Sequence, residues 1–310
     1  MEKMLTVNNL TKSFGEVIAA NDISFSVNKG EIKGFLGPNG AGKTTVIRMI
    51  MGIIDSDKGD INFYYNNNQP EALNKQKIGY LPEEKGLYDD VKVIDNLIYL
   101  AILKGLSRKE AKKVGLEWLE RLDLKEYSKH KLEKLSRGMK QKVQFIASII
   151  HKPDFVVLDE PFAGLDPVNQ EFVIEIIREL QDQGLTILFS AHQMNMVEEL
   201  CDSIFMINQG QQVLQGDLKE IKRGYQEYNV EINYRGESDI SFLKKISDIE
   251  IQKKEEGYVK CLYSGNIEIN KLVKQLTEKF QLEGIRVETP SLHDIFINTV
   301  KKRGGKIETA

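Results

Sequence analysis

The feature that most constrains this chain is the run GPNGAGKT at 37–44, followed by Thr45. It fits G-x-x-x-x-G-K-[ST], follows an apolar segment from Ile32 to Leu36, and precedes the helical pattern VIRMIMG at 46–52. Strand, glycine-rich loop and helix in that order are the context such a motif requires. The glycines let backbone N–H groups turn inward around phosphate oxygens, and the helix start adds partial positive charge there. Gly37, Pro38, Asn39, Gly40, Ala41, Gly42, Lys43, Thr44 and Thr45 are therefore the candidate phosphate-binding residues. Lys43 supplies a full charge for β- and γ-phosphates, and Thr44 a hydroxyl for Mg²⁺.

A phosphate loop needs a metal-side carboxylate, and FVVLDE at 155–160 supplies two. Four apolar residues read as a strand buried on both faces, with Asp159 and Glu160 at its C-terminal end. Ligands of open α/β sheets bind at that end. Asp159 is placed to hold Mg²⁺, directly or through water, and Glu160 to act on an attacking water. TILFSA at 186–191 is a second buried strand, and the i, i+3, i+4, i+7 spacing of Val173, Ile176, Ile177 and Leu180 marks a helix between them. A further helical block spans Lys92 to Tyr127, in which Trp118 is read as packing beside Leu119 and Leu122.

The alternation of strands and helices holds to about Gly216, so residues 1–220 are read as one α/β domain and 221–310 as another. The charged segment Asp217 to Tyr228 reads as the link. Beyond it the expected order is strand 228–234, helix 239–246, strand 248–254, strand 258–263, helix 267–280 and strand 284–289. That βαββαβ order describes a small α+β, ferredoxin-like sheet. A last helix starts at Ser291, with Asp294 in the capping position. Asn66 to Asn68 read as a loop.

With 43 Lys+Arg against 46 Asp+Glu, the formal net charge of −3 argues against a generally basic nucleic-acid binder. Two cysteines, Cys201 and Cys261, cannot build a disulfide framework and read as reduced thiols. No stretch approaches the roughly 18 to 20 apolar residues that span a bilayer, and no signal-peptide core is seen. The chain is expected inside the cell and not itself in the membrane.

Three further segments narrow the class. LSRGMKQ at 135–141 opens a strongly helical run, with Ser136 as a good N-cap and Gly138 leaving the helix start uncovered. AGLDP at 163–167 follows the carboxylate pair, and His192 follows TILFSA. With these in order, residues 4 to 220 resemble the ATP-binding subunits of ATP-binding-cassette (ABC) transporters. The fold implied is a P-loop NTPase of the ABC ATPase type: a mostly parallel sheet core with antiparallel β and helical subdomains.

The resemblance implies ATP and Mg²⁺ as cofactors and ATP hydrolysis as the activity. Two copies, or this chain and a related subunit, would pair head to tail, each ATP lying between GPNGAGKT of one and Ser136, Arg137, Gly138 and Met139 of the other. Asp166 would communicate between the sites, Glu160 and His192 would be catalytic, and Phe14 would stack on adenine; a core Phe beside a strand is the other reading of Phe14. Two positions depart from the family: Glu83, in GYLPEEKGLY at 79–88, stands where Gln is common, and Arg137 and Met139 where Gly and Gln are common. Glu83 can still ligate Mg²⁺, but it adds negative charge beside the triphosphate.

GYLPEEKGLY and the ending TPSLHDIF at 289–296 resemble bacterial subunits of sodium-extrusion exporters, whose transmembrane permease is a separate polypeptide. The expected location is the cytoplasmic face of the cell membrane, peripheral through that permease, with sodium or drug/peptide export as its work and no nucleic-acid partner. Two other readings stand beside it. One is a soluble ABC-type ATPase serving a non-membrane machine, against which a single phosphate loop and the short stretch between Lys43 and Leu135 argue. The other is a non-catalytic nucleotide-binding regulatory module, against which Glu160 and His192 argue.

Overall fold

A computed structural model describes residues 2–65, 69–83, 86–191, 194–225, 227–235, 242–243, 246, 248–264 and 269–302. His192 and Asn66 to Asn68 lie outside the described residues, as does most of the helix expected at 239–246. The chain divides into two compact units, Met1–Asp217 and Leu218–Ala310.

The first unit opens with two long antiparallel strands, β1 (Lys3–Phe14) and β2 (Val17–Asn28), then β3 (Ile32–Leu36), α1 (Lys43–Ile50), β4 (Lys58–Phe63) and β5 (Ile78–Leu81). Three helices follow: α2 (Val93–Leu103), α3 (Arg108–Arg121) and α4 (Arg137–Ile149). The chain then alternates through β6 (Phe155–Asp159), α5 (Pro167–Asp182), β7 (Thr186–Ala191), α6 (Met194–Leu200), β8 (Ser203–Asn208) and β9 (Gln211–Asp217).

Two sheets result. The core sheet has the order β5-β6-β7-β3-β8-β9, parallel throughout except for β9 against β8. Its inner strands β3, β6 and β7 are buried at every residue, because both faces of this parallel sheet are covered. The second sheet, β2-β1-β4, is antiparallel and packs into the same core: Phe25 of β2 packs against Phe35 and Phe205 with ring centroids 5.6 and 4.7 Å away. The helical block expected over Lys92 to Tyr127 is broken. A polar turn separates α2 from α3, and Ser107 and Glu110 restart the chain with a complete capping box. Trp118 is half-buried, with the Arg121 guanidinium 5.1 Å from its ring.

The second unit holds α7 (Leu218–Gly224), β10 (Tyr228–Tyr234), β11 (Ile249–Glu255), β12 (Tyr258–Tyr263), α8 (Ile269–Lys279), β13 (Leu282–Glu288) and α9 (Leu292–Lys302). Its sheet has the order β11-β12-β10-β13, with every neighbour antiparallel. The first strand is thus central, between the third and the last, as in a split βαβ sheet. Alternate residues Val230, Ile232, Val259, Cys261 and Tyr263 form its core together with Leu272 and Leu276 of α8. The segment read as a polar link corrects to helix over Leu218–Gly224. Its charge order explains this, with Glu220 in the first turn and Lys222 and Arg223 in the last, matching the helix dipole.

His151, just past α4, is buried, and its Nε2 lies 3.2 Å from the Ile78 carbonyl oxygen. Burial, helped by the Lys104 charge and opposed by the Ile78 contact, lowers its pKa from 6.5 to about 4. The unfolded chain therefore takes up a proton that the folded chain refuses between those values. His151 stabilises the fold fully above about pH 6.5 and progressively less as pH falls toward 4. We expect its contribution to drop by about 2 kcal/mol from about pH 7 to about pH 5. Urea midpoints across that range, with His151→Leu flattening the slope, check this.

Candidate functional site

The C-terminal ends of β3, β5, β6 and β8 open onto one cleft of about 520 Å³. One wall is the phosphate loop from Pro38 to Thr45; Glu83, Asp159 and Glu160 line it too, with Val17, Ile18, Ala19, Gln209 and Gly210. The segments meet because β3 sits between β7 and β8, so the loop leaving β3 lies beside the ends of its neighbours.

The loop conformation depends on its glycines. Gly42 has φ +104°, and a Cβ there would sit 2.1 Å from the Ala19 carbonyl oxygen. A Cβ at Gly37 would sit 2.3 Å from the Ile207 carbonyl oxygen. The loop is thus pressed against β2 and β8, and no side chain fits between. Lys43 starts α1 and folds back over the loop. Its Nζ donates to the carbonyls of Gly37 at 2.6 Å and Pro38 at 3.2 Å. Burial lowers the Lys43 pKa, while Glu160, Asp159 and Glu83 pull it back up.

Asp159 is 2% exposed. Its Oδ1 accepts the Ser190 hydroxyl proton, and its Oδ2 is buried with no hydrogen-bond partner among the described residues. Burial raises its pKa most; the Ser190 bond opposes this, Glu83 and Glu160 add to it, and Lys43 opposes it. A buried carboxylate oxygen without a donor is costly unless a cation completes it. No group of three His, Cys, Asp or Glu among the described residues could hold a metal alone. The cleft instead offers the Thr44 hydroxyl, Asp159 and the exposed Glu83, a sparse oxygen set. That set fits Mg²⁺, which takes one or two carboxylates and completes its shell with substrate phosphates and water.

Glu160 follows β6 with φ +51°, a left-handed conformation that costs a non-glycine residue about 1–2 kcal/mol. Hydrogen bonds hold the backbone there, among them these. Its N–H donates to the Ser190 carbonyl at 3.1 Å, and Gln141 Nε2 donates to the carbonyls of Glu160 at 3.2 Å and Pro161 at 3.0 Å. Backbone strain of this kind collects where a side chain must be aimed.

The other candidates lie apart from the cleft. Ser136 caps α4, its Oγ accepting from the Met139 N–H at 3.3 Å. Arg137 lies across Gly164, and Gly138 approaches so closely that a Cβ there would meet the Gly164 carbonyl oxygen at 3.0 Å. Asp166 caps α5, accepting from the Asn169 N–H at 3.0 Å and side-chain amide at 2.6 Å; these bonds hold its carboxyl below the usual range. Neither Ser136, Arg137, Gly138, Met139 nor Asp166 is among the described lining residues of the cleft. Phe14 ends β1, is 52% exposed and has Lys12 Nζ 5.5 Å from its ring centroid. That removes the core-packing reading. Its register partner Val17, with Ile18, lines the cleft. Ser190 and Gln141 were not singled out from the sequence. A hydroxyl at the C-terminal end of the run TILFSA, two residues before His192, is the signal that marks Ser190.

Residues 20–163 match the family model described as ABC transporter, and residues 216–300 match that of the C-terminal domain of ATP-binding protein DrrA1-3-like. The chain is 42% identical over 298 residues to the uncharacterized ABC transporter ATP-binding protein YhaQ of Bacillus subtilis (strain 168), covering 96% of this chain and 98% of that one. The chain belongs to the ATP-binding subunits of ABC transporters. It is also 33% identical over 303 residues to the linearmycin resistance ATP-binding protein LnrL of Bacillus subtilis (strain 168), covering 95% and 97% of the two chains. A solved structure of an ATP-binding subunit of an ABC transporter matches with TM-score 0.65 and 30% identity, over 72% of this chain and 93% of that one. The ABC subunit binds and hydrolyses ATP as part of a transporter. Cassettes of this family typically dimerise and pair with transmembrane subunits. No helix among the described residues is long and apolar enough to cross a membrane.

Proposed function

We propose that the cleft holds the phosphates of ATP with Mg²⁺, and that closure of two subunits around two nucleotides drives export through a separate permease. The observation that carries this reading is the meeting of Lys43 and Thr44 with Asp159, Glu160 and Glu83 in one cleft, with one Asp159 oxygen unpartnered among the described residues. Pro38 to Thr45 receive phosphate oxygens, and Gly37 sets the turn. Thr44, Asp159 and Glu83 hold the metal. Mg²⁺, when bound, neutralises charge on the β- and γ-phosphate oxygens. Glu160 takes the proton of the attacking water, aimed by the bonds that fix its backbone. His192, next after Ala191 in the sequence, is assigned to placing that water. Phe14, with Val17 and Ile18, offers an apolar surface for adenine.

Ser136 and Gly138 face the nucleotide of the second copy, with Arg137 and Met139 beside them, and Asp166 answers across the interface. ATP closes the pair only through its higher affinity for the closed state. The permease docks where apolar surface is left uncovered near the cleft. A groove of about 300 Å³ is lined by Met51, Ile53, Pro82, Leu87 and Leu100, and Tyr88, Tyr99, Ile102 and Leu103 are exposed beside it. Such surface marks an interaction site. The subunit then sits on the cytoplasmic face of the membrane through its partner.

Export is the direction supported by the name of one relative, the Nod factor export ATP-binding protein I of Burkholderia orbicola, 35% identical over 209 residues. Sodium as cargo rests on the GYLPEEKGLY and TPSLHDIF resemblance; a drug-like cargo rests on the linearmycin relative. Tagging the chain at native level, extracting membranes in mild detergent and identifying what stays bound tests the assembly. A stoichiometric multi-spanning protein is expected. Recovery only in the soluble fraction, with ribosomal or DNA-bound proteins, would sink it. Loss of the gene pair leaving sodium efflux unchanged would remove sodium.

A further inference from the structure

The loop that leaves the cleft at Glu83 is tied to the segment that leads into Ser136, and one ion pair completes the tie. From Tyr88 the loop is fixed to α2 by Asn96, which is buried. Asn96 Oδ1 accepts from the Tyr88 N–H at 2.9 Å, and its Nδ2 donates to the carbonyls of Tyr88 at 3.0 Å, Val91 at 3.3 Å and Lys92 at 3.2 Å. The same loop then pairs with residues 128–133. The Glu133 N–H donates to the Asp89 carbonyl at 2.8 Å, Leu132 N–H to Val91 at 3.0 Å, and Val93 N–H to His130 at 2.9 Å. Lys140 adds a charged contact, its Nζ donating to Asp89 Oδ1 at 2.8 Å. Lys140 is one helical turn past the cap, its N–H bonded to the Ser136 carbonyl at 2.9 Å. Asp89 therefore grips the chain on both sides of Ser136: at Glu133 through its backbone and at Lys140 through its carboxylate.

We infer that Asp89 and Lys140 are positioning residues for hydrolysis, holding the exposed start of α4 in register with the loop that begins at Glu83. This rests on the reading of Ser136 and Gly138 as facing the second copy's nucleotide. In a closed pair the strut from Tyr88 to the start of α4 would then lie between two nucleotides: the subunit's own, on the side of Glu83, and the partner's, at Ser136. The body of α4 is fixed by buried Val143, Phe145 and Ile146 and by Gln141 on the Glu160 and Pro161 carbonyls. The ion pair adds the side-chain contact that ties its first turn to Asp89. Its loss loosens that first turn, with Ser136 and Gly138, against the loop without touching Lys43, so it affects closure and leaves the first encounter with ATP alone.

The test is steady-state hydrolysis by the purified full chain, with nucleotide affinity measured separately by titration at low protein concentration. Asp89→Asn and Lys140→Met are each expected to raise the ATP concentration for half-maximal hydrolysis about fivefold, the size a partly exposed ion pair supports. The maximal rate and the affinity of the single subunit are expected to change less than twofold, as roughly neutral surface substitutions do. The charge-reversed double, Asp89→Lys with Lys140→Asp, restores the ATP dependence if the pair acts as a pair. Unchanged ATP dependence in both single variants, or a double no better than either, overturns the inference. Ser136→Ala, run alongside, separates the two levels. If it too leaves hydrolysis intact, the reading of the α4 start falls and takes the strut with it. If it slows hydrolysis while Asp89→Asn does nothing, only the strut falls.

Discussion

Glu160→Gln is expected to slow ATP hydrolysis by about a hundred- to ten-thousandfold, the range that a positioned general base contributes. The substitution keeps the side chain's size and the bonds that fix the backbone, among them Glu160 N–H to Ser190 at 3.1 Å and Gln141 to the Glu160 and Pro161 carbonyls at 3.2 and 3.0 Å. What it removes is the ability to accept a proton. It also removes one of the negative charges facing Lys43 and Asp159. ATP affinity should therefore hold or improve, and the pair should accumulate closed with ATP bound. Phosphate release, nucleotide affinity and sedimentation in ATP measure the three parts. Unchanged turnover would take Glu160 out of the base role.

Lys43→Ala has the opposite signature: binding fails before chemistry is reached. Lys43 is 8% exposed, and its ammonium closes the loop on itself through the Gly37 and Pro38 carbonyls. It is also the cation that opposes the rise in the Asp159 pKa, besides the Ser190 bond. Without it the incoming phosphates meet Asp159, Glu160 and Glu83 with no full positive charge from Lys43, and Asp159 is pushed further up. Breaking one side of a buried ionic contact costs about 3–5 kcal/mol, so the ATP dissociation constant should rise at least about a hundredfold. Titration with a fluorescent ATP analogue checks it. Normal affinity would contradict the phosphate-loop assignment.

The two variants differ in where the site was legible. The turn from Gly37 to Lys43 is local: residue identity, the strand before it and the helix after it lie within one stretch of chain. β6 and β7 are equally local, because unbroken apolar runs describe strands covered on both faces. The same holds for β10 and β12, whose alternation matched their bounds. The failures also have local causes. Asp217 to Tyr228 is polar enough to read as a link, yet its charges are ordered for a helix. The block from Lys92 to Tyr127 carries a Ser-x-x-Glu restart at Ser107 that splits it.

What composition and spacing could not reveal were contacts made across the sheet. Ser190 reaches Asp159 only because β7 lies beside β6, and Gln141 reaches Glu160 only because α4 packs over that end of the sheet. Val17 and Ile18 reach the cleft only because a second sheet packs on the core. The sequence by itself determined the chemistry on offer: a phosphate loop, a carboxylate pair at a strand end and an uncovered helix start. Tertiary structure alone decided that Lys43, Asp159, Glu160 and Glu83 share one cleft, that one Asp159 oxygen is buried without a partner among the described residues, and that Asp89 grips α4. The reason is physical. Residue type and periodicity encode what each segment buries. The order of parallel strands, β5-β6-β7-β3-β8, is set by which buried faces pack together over long chain separations, and no local pattern carries that information.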